Sequence, residues 1–134
     1  MPGYIEDVLM RFKHARPRTP QDQPHPHVSS NYSATRQYSK QQDNFPLLNK
    51  AGQKFVQEVC DTLLCYARVV DCTVLAALGS IATQQSSPKE TTMRKIKQLL
   101  DYAATHPDAM VTYWSRNMVL AAHSDASYLS ETKS

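Results

Sequence analysis

The fold of this chain is decided by residues 51–85, AGQKFVQEVCDTLLCYARVVDCTVLAALGSIATQQ. The apolar residues recur every three or four positions, which is typical of the buried face of an amphipathic helix; they include Phe55, Val56, Val59, Cys60, Leu63, Leu64 and Ala67. The crowded β-branched residues around Asp71 predict a break, and Asp71 is suited to cap a second helix over about 72–84. That helix is apolar nearly all round, so it is predicted to be the central buried element. Gly79 in its middle predicts a close crossing with another helix.

The next stretch, SSPKETTMRKIKQLLDYAATHPD, has the start and stop signals of a third helix. Ser87 is predicted as the N-cap, Pro88 as the first helical residue and Glu90 as the partner in a capping box, while His106-Pro107-Asp108 ends the helix. The predicted buried stripe is Met93, Ile96, Leu99, Leu100 and Ala103. The outer face, or its border, carries three cations that either are simply solvated or contact nucleic-acid phosphates: Arg94, Lys95 and Lys97.

The flanking sequence completes an α+β, mostly α prediction in four parts. Residues 1–12 predict a short amphipathic helix that needs a surface on which to dock. Residues 13–50 hold five of the eight prolines and are otherwise mainly polar, which predicts a disordered linker. Residues 51–107 form the helical region. Residues 108–134 predict a β-hairpin, because the apolar runs AMVTYW and NMVLAAHS are separated by the turn-like SRN.

Charge and cysteine content restrict the class of protein. The net charge is +3, and residues 1–50 carry seven Lys or Arg against four acids, a bias that permits contact with nucleic acid. The three cysteines, Cys60, Cys65 and Cys72, fall in apolar helical pattern and are predicted to be buried in a reducing compartment. No stretch has the pattern of a signal peptide or a membrane span. An intracellular protein, in cytoplasm or nucleus, is expected.

The order of these segments resembles copia-type retrotransposon polyproteins. GYIEDVLMRF followed by a proline-bearing linker is similar to the segment after the polymerase palm in that family. The helical region looks like the thumb and connection that follow, although the proline of the usual Arg-Pro-Asp between two helices is absent from Arg68-Val69-Val70-Asp71. LAAHSDASYLSE resembles the first strand of the ribonuclease H domain, with Tyr128 where the family usually has Trp.

The resemblance implies a thumb/connection-like bundle that runs into the truncated start of a ribonuclease H-like sheet. Asp125 would then be the first of the four carboxylates that hold two Mg²⁺ ions in the parent family. With the other ligands and the polymerase metal site missing, the chain is expected to be catalytically incomplete and to bind no Mg²⁺ tightly. Its implied partners are an RNA–DNA or DNA duplex and the missing polymerase and ribonuclease H segments, and no membrane. Arg94, Lys95 and Lys97 would contact the duplex backbone.

Other interpretations stay open beside the retroelement fragment that grips a template–primer duplex. One is a small helical protein-interaction module, a co-opted fragment without nucleic-acid activity. Another is a relic of gene prediction that does not fold. The last is an intact metal-dependent nuclease.

Overall fold

The computed structural model describes residues 3–26 and 43–112, together with Ser115, and this part of the chain contains four α-helices. They are α1 (Tyr4–Arg11), α2 (Lys50–Val69), α3 (Leu75–Ala82) and α4 (Glu90–Thr105), with a 3₁₀ turn at Cys72–Val74 directly before α3. Helix α4 packs against each of the other three helices, and α2 packs against α3 and α4. The mostly helical prediction is confirmed.

The predicted C-terminal β-hairpin is wrong where its residues are described. Residues 109–112 form no strand, and within the described ranges the chain contains no β-strand at all, only an isolated bridge between Leu47 and Lys89. The N–H of Val111 instead donates to the carbonyl of Val70 (2.9 Å), at the end of α2. Whether residues that favour strands form one depends on their tertiary context. Here the backbone of this segment hydrogen-bonds to the end of a helix instead. The second predicted strand, 117–124, lies outside the described residues.

Helix α1 docks on the bundle, as its short amphipathic pattern predicts. Ile5, Val8 and Leu9 are buried. The ring of Tyr4 stacks on that of Tyr66 with centroids 5.4 Å apart, and its hydroxyl donates to the carbonyl of Thr62 at 2.5 Å. A helix of eight residues is marginal alone, so these contacts with the bundle stabilise it.

The break after α2 lies where the sequence predicts it, but α3 is not a central element. Asp71 is buried and its carboxylate accepts from the amide of Thr73 (3.0 Å), as a cap should. Leu75 and Gly79 are exposed, so α3 lies on the surface with one face buried. A Cβ placed on Gly79 would meet no atom within 4 Å. The predicted close crossing at Gly79 is therefore wrong.

Helix α4 begins later than its capping pattern predicts. The N-cap is Lys89, whose N–H donates to the hydroxyl of Thr92 at 3.1 Å, and the helix starts at Glu90. The carbonyl of Pro88 accepts from the amide of Leu48 (2.8 Å), so the backbone before Glu90 pairs with residues 46–48 and is not free to enter the helix. The end of α4, with His106 as C-cap, agrees with the prediction. No helix in the described ranges is long and apolar enough to cross a membrane.

Candidate nucleic-acid interface

The segment after α1, residues 13–26, lies along α4 and is called the strap. The sequence predicts a disordered linker over residues 13–50. In the structure, hydrogen bonds that involve side chains join the strap to α4. In order along the strap, the pairs that lie between 2.7 and 3.1 Å apart are His14 with Asp101, Gln21 with Thr105, Asp22 with His106 and Gln23 with Gln98. Polar contacts with a neighbouring helix compensate for what the segment lacks in apolar surface.

The strap begins in a helix C-terminal motif that turns the chain onto α4. The amide of Lys13 donates to the carbonyl of Met10 (3.1 Å), and the amide of His14 donates to the carbonyl of Leu9 (2.9 Å). These are the two hydrogen bonds of a Schellman motif, in which the residue after the cap adopts the left-handed conformation. That residue is Lys13, with φ of 51°. Glycine is usual at this position, so a lysine here carries conformational strain.

This turn creates the basic groove, formed by Lys13, Arg16, Arg18 and Lys97. The first three residues come from the strap and the last from α4, and all four side chains are exposed. His14 and Asp101 also line the groove. The density of positive charge is high because two separate elements contribute to one surface.

Acidic neighbours compensate only part of this charge. Glu6 lies 3.8 Å from Arg16, and both side chains are well exposed, at 43% and 66%. An exposed ion pair of this kind contributes little. Asp101 contacts His14. The groove therefore keeps a net positive charge that is available to an anionic partner.

The three cations predicted on α4 do not form one patch. Lys97 lines the basic groove. Arg94 lies 4.0 Å from Glu90 and places its guanidinium 4.8 Å from the centre of the Phe45 ring. The ammonium of Lys95 lies 3.3 Å from the hydroxyl of Ser80. Arg94 and Lys97 lie one turn apart on the helix, but Arg94 contacts Glu90 and Phe45, whereas Lys97 lies beside the cations of the strap.

The sequence identified Lys97 but not its neighbours. The sequence instead predicts a disordered linker for the segment that contains Lys13, Arg16 and Arg18. The signal that could have placed them is a cluster of cations immediately after α1, combined with the polar stripe of Gln98, Asp101 and Thr105 on α4. Such a stripe can hold a polar segment by hydrogen bonds.

The predicted metal ligand, Asp125, lies outside the described residues, so its role stays a prediction. In the part of the chain that the structure describes, no three His, Cys, Asp or Glu side chains come together as metal ligands. The buried carboxylate of Asp71 accepts from both the amide and the hydroxyl of Thr73, at 3.0 and 2.6 Å. It therefore has a structural role.

The cysteine prediction is correct for one residue of three. Cys60 is buried, and this burial raises the pKa of its thiol to about 11. Cys65 and Cys72 are exposed, so the prediction that they are buried is wrong. Both lie at helical positions that face solvent. A small apolar side chain can occupy such a position at little cost in stability.

A second polar contact fixes the chain at the other end of α4. The hydroxyl of Thr91 donates to the carboxylate of Asp43, and the ammonium of Lys89 donates to the carbonyl of Asp43. The hydrogen bond from Thr91 is the main cause that lowers the pKa of Asp43 below its ordinary value. Residues 43–50, like the strap, are thus held on the bundle.

Comparison with known proteins assigns the chain to no family. No protein-family model matches the chain, and no curated protein or solved structure is similar enough to count as a match.

Proposed function

We propose that this chain binds the sugar–phosphate backbone of a nucleic-acid duplex, as a thumb- or connection-like helical module of a copia-type retrotransposon reverse transcriptase/ribonuclease H polyprotein. The observation that supports the proposal is the basic groove, in which four exposed cations from two elements line one surface. Lys and Arg bind phosphates without reading the bases, and binding of this kind releases counterions. The proposal assigns no catalysis to the chain by itself and places it inside the cell.

Fluorescence anisotropy with a labelled 20-bp RNA–DNA hybrid and with two DNA duplexes of unrelated sequence tests this proposal. We expect similar affinities for all three, with the logarithm of the binding constant falling linearly with the logarithm of salt concentration. Lys97→Glu should weaken binding of every duplex and reduce the salt slope by about 1. The matched control is Lys50→Glu, which makes the same change in charge at the exposed first residue of α2. It should change affinity by no more than about twofold, because Lys50 does not line the groove and salt weakens interactions between exposed charges that are not in contact.

Lys13 offers a variant that separates binding from folding. Lys13→Gly removes one cation and relieves the strain of φ 51°, which for a non-glycine residue is on the order of 1 kcal/mol. We expect the variant to unfold at a higher urea concentration and to bind duplex more weakly. Wild-type affinity in both Lys13→Gly and Lys97→Glu would refute the proposal, since neither cation would then contact the ligand.

A protein-interaction module without nucleic-acid activity is the second candidate. It is favoured by exposed apolar side chains beside the end of α2, where Val69 and Met110 are each 70% exposed and Val111 is 38% exposed. The charge variants discriminate between the two candidates. Absence of duplex binding, or weak binding that neither responds to salt nor weakens on Lys97→Glu, would favour the second.

A further inference from the structure

Two histidine–aspartate contacts join the strap to α4, one near each end of the strap. At its start, Nε2 of His14 lies 2.7 Å from Oδ1 of Asp101, and these side chains are only 14% and 20% exposed. At its far end, Oδ1 of Asp22 lies 3.1 Å from Nε2 of His106. The strap supplies the histidine in the first contact and the aspartate in the second. The same two elements are therefore joined twice by groups of the same chemistry.

Each imidazole has other charged or titratable neighbours. Besides Asp101, His14 shares the basic groove with the four cations Lys13, Arg16, Arg18 and Lys97. The ring of His106 packs on that of Tyr102 with centroids 4.9 Å apart, and it borders a small internal cavity together with Asp71 and Tyr66. Each imidazole therefore lies beside one aspartate, and His14 lies beside the groove cations as well.

We propose that protonation of His14 and His106 tightens the strap on α4 and so makes phosphate binding by the basic groove depend on pH. This inference rests on the proposed function. A neutral imidazole can donate one hydrogen bond to its aspartate, and protonation adds an ion pair to that hydrogen bond. Histidine is the ordinary side chain whose charge changes between about pH 5 and 8.

The coupling to the ligand follows from the composition of the groove. Three of its four cations are on the strap, so the groove is complete only while the strap lies on α4. A bound phosphate also attracts the positive charge of protonated His14. A ligand that binds one state more tightly shifts the protein toward that state. Polyanion binding and protonation therefore favour each other.

The test measures the affinity of the 20-bp hybrid at pH 8.0 and 6.0 at constant ionic strength. We expect the wild type to bind about fivefold more tightly at pH 6.0, the scale of one favourable ion pair. The double variant His14→Gln and His106→Gln keeps a hydrogen-bond donor at each place but cannot be charged, so its affinity should change by less than about twofold. His25→Gln is the matched control, because His25 takes part in neither contact, and it should keep the wild-type response.

A second readout needs no ligand. The amide of Gln21 donates to the hydroxyl of Thr105 at 3.0 Å, between the two histidine contacts along the strap. In the wild type, its NMR shift should follow pH with the midpoints of the His14 and His106 ring signals. In the folded double variant, that response should be absent. If the double variant does not fold, each single variant should lose about half of the response.

The outcomes separate the two proposals. Duplex binding that depends on Lys97 but keeps its full pH response in the double variant would overturn this inference alone. Absence of duplex binding at both pH values, with the Gln21 titration as expected, would overturn the proposed function while supporting the protonation-dependent strap.

Discussion

Gly79→Ala distinguishes the observed packing of α3 from the packing that its sequence predicts. A glycine within an apolar helix suggests a close crossing, and there an added methyl group would clash. The observed environment is open, because a Cβ at Gly79 meets no atom within 4 Å. We therefore expect the substitution to stabilise the protein.

The magnitude follows from helix propensity alone. In a helix interior, alanine is favoured over glycine by about 0.8–1 kcal/mol, chiefly because glycine loses more backbone freedom on folding. With no new contact to add or remove, the free energy of unfolding should rise by about that amount. In a folded unit of 60–100 residues, this corresponds to an increase in Tm of about 4–8 °C.

Urea and thermal unfolding, followed by circular dichroism at 222 nm, measure the change, and Gly52→Ala provides the control. A Cβ at Gly52 would lie 3.0 Å from Cβ of Leu48 and 3.3 Å from Oδ1 of Asn49, which caps α2. The propensity gain there is opposed by crowding, so this variant should gain less than Gly79→Ala or lose stability. If Gly79→Ala destabilises by more than about 0.5 kcal/mol, another surface approaches α3 at that point and the packing described above is refuted.

Three further predictions concern buried or hydrogen-bonded groups. Asp71→Ala removes a buried cap and should cost about 1–2 kcal/mol in urea unfolding, whereas the exposed control Asp61→Ala should change stability by less than about 0.5 kcal/mol. With its pKa raised to about 11, Cys60 should react with Ellman's reagent at pH 8 roughly a hundredfold more slowly than a thiol of ordinary pKa, and three equally fast thiols would contradict its burial. Thr91 lowers the pKa of Asp43 in the folded state, so the ionised carboxylate stabilises the fold at pH values above its unfolded pKa near 4, and this contribution is lost as the pH falls through the lowered pKa. Asp43→Asn should thus be less stable than wild type at pH 7, and the difference should shrink as the pH falls below about 4 in acid unfolding.

The sequence predicts the helices well because their signals are local. The apolar spacing of α1, α2 and α4 determines which faces are buried, and Asp71 marks the break after α2 through a cap that involves its immediate neighbours. The predicted start of α4 is wrong for the opposite reason. It depends on Leu48, which lies forty residues upstream and hydrogen-bonds to the carbonyl of Pro88. A contact between residues so far apart in the sequence cannot be recognised from a local capping pattern.

The candidate site was predicted only in part, because its residues belong to segments of different character. Lys97 follows the helical pattern and could be identified as an outward-facing cation. The strap has no periodicity and little apolar content, so composition alone predicts disorder. Its position on α4 comes from individual polar pairs, such as His14 with Asp101. In the sequence, each partner of such a pair looks like an ordinary exposed residue.

Lys13 contributes both to the fold and to the proposed function. The Schellman motif at the end of α1 redirects the chain onto α4, and its left-handed position is most easily occupied by glycine. A lysine forms the same two hydrogen bonds at some cost in strain, and in return its charge lies in the basic groove. Residues in strained conformations are found more often at functional sites than elsewhere. Lys13 thus causes conformational strain and contributes one of the four positive charges of the groove, and Lys13→Gly removes that strain and that charge while leaving the turn itself intact.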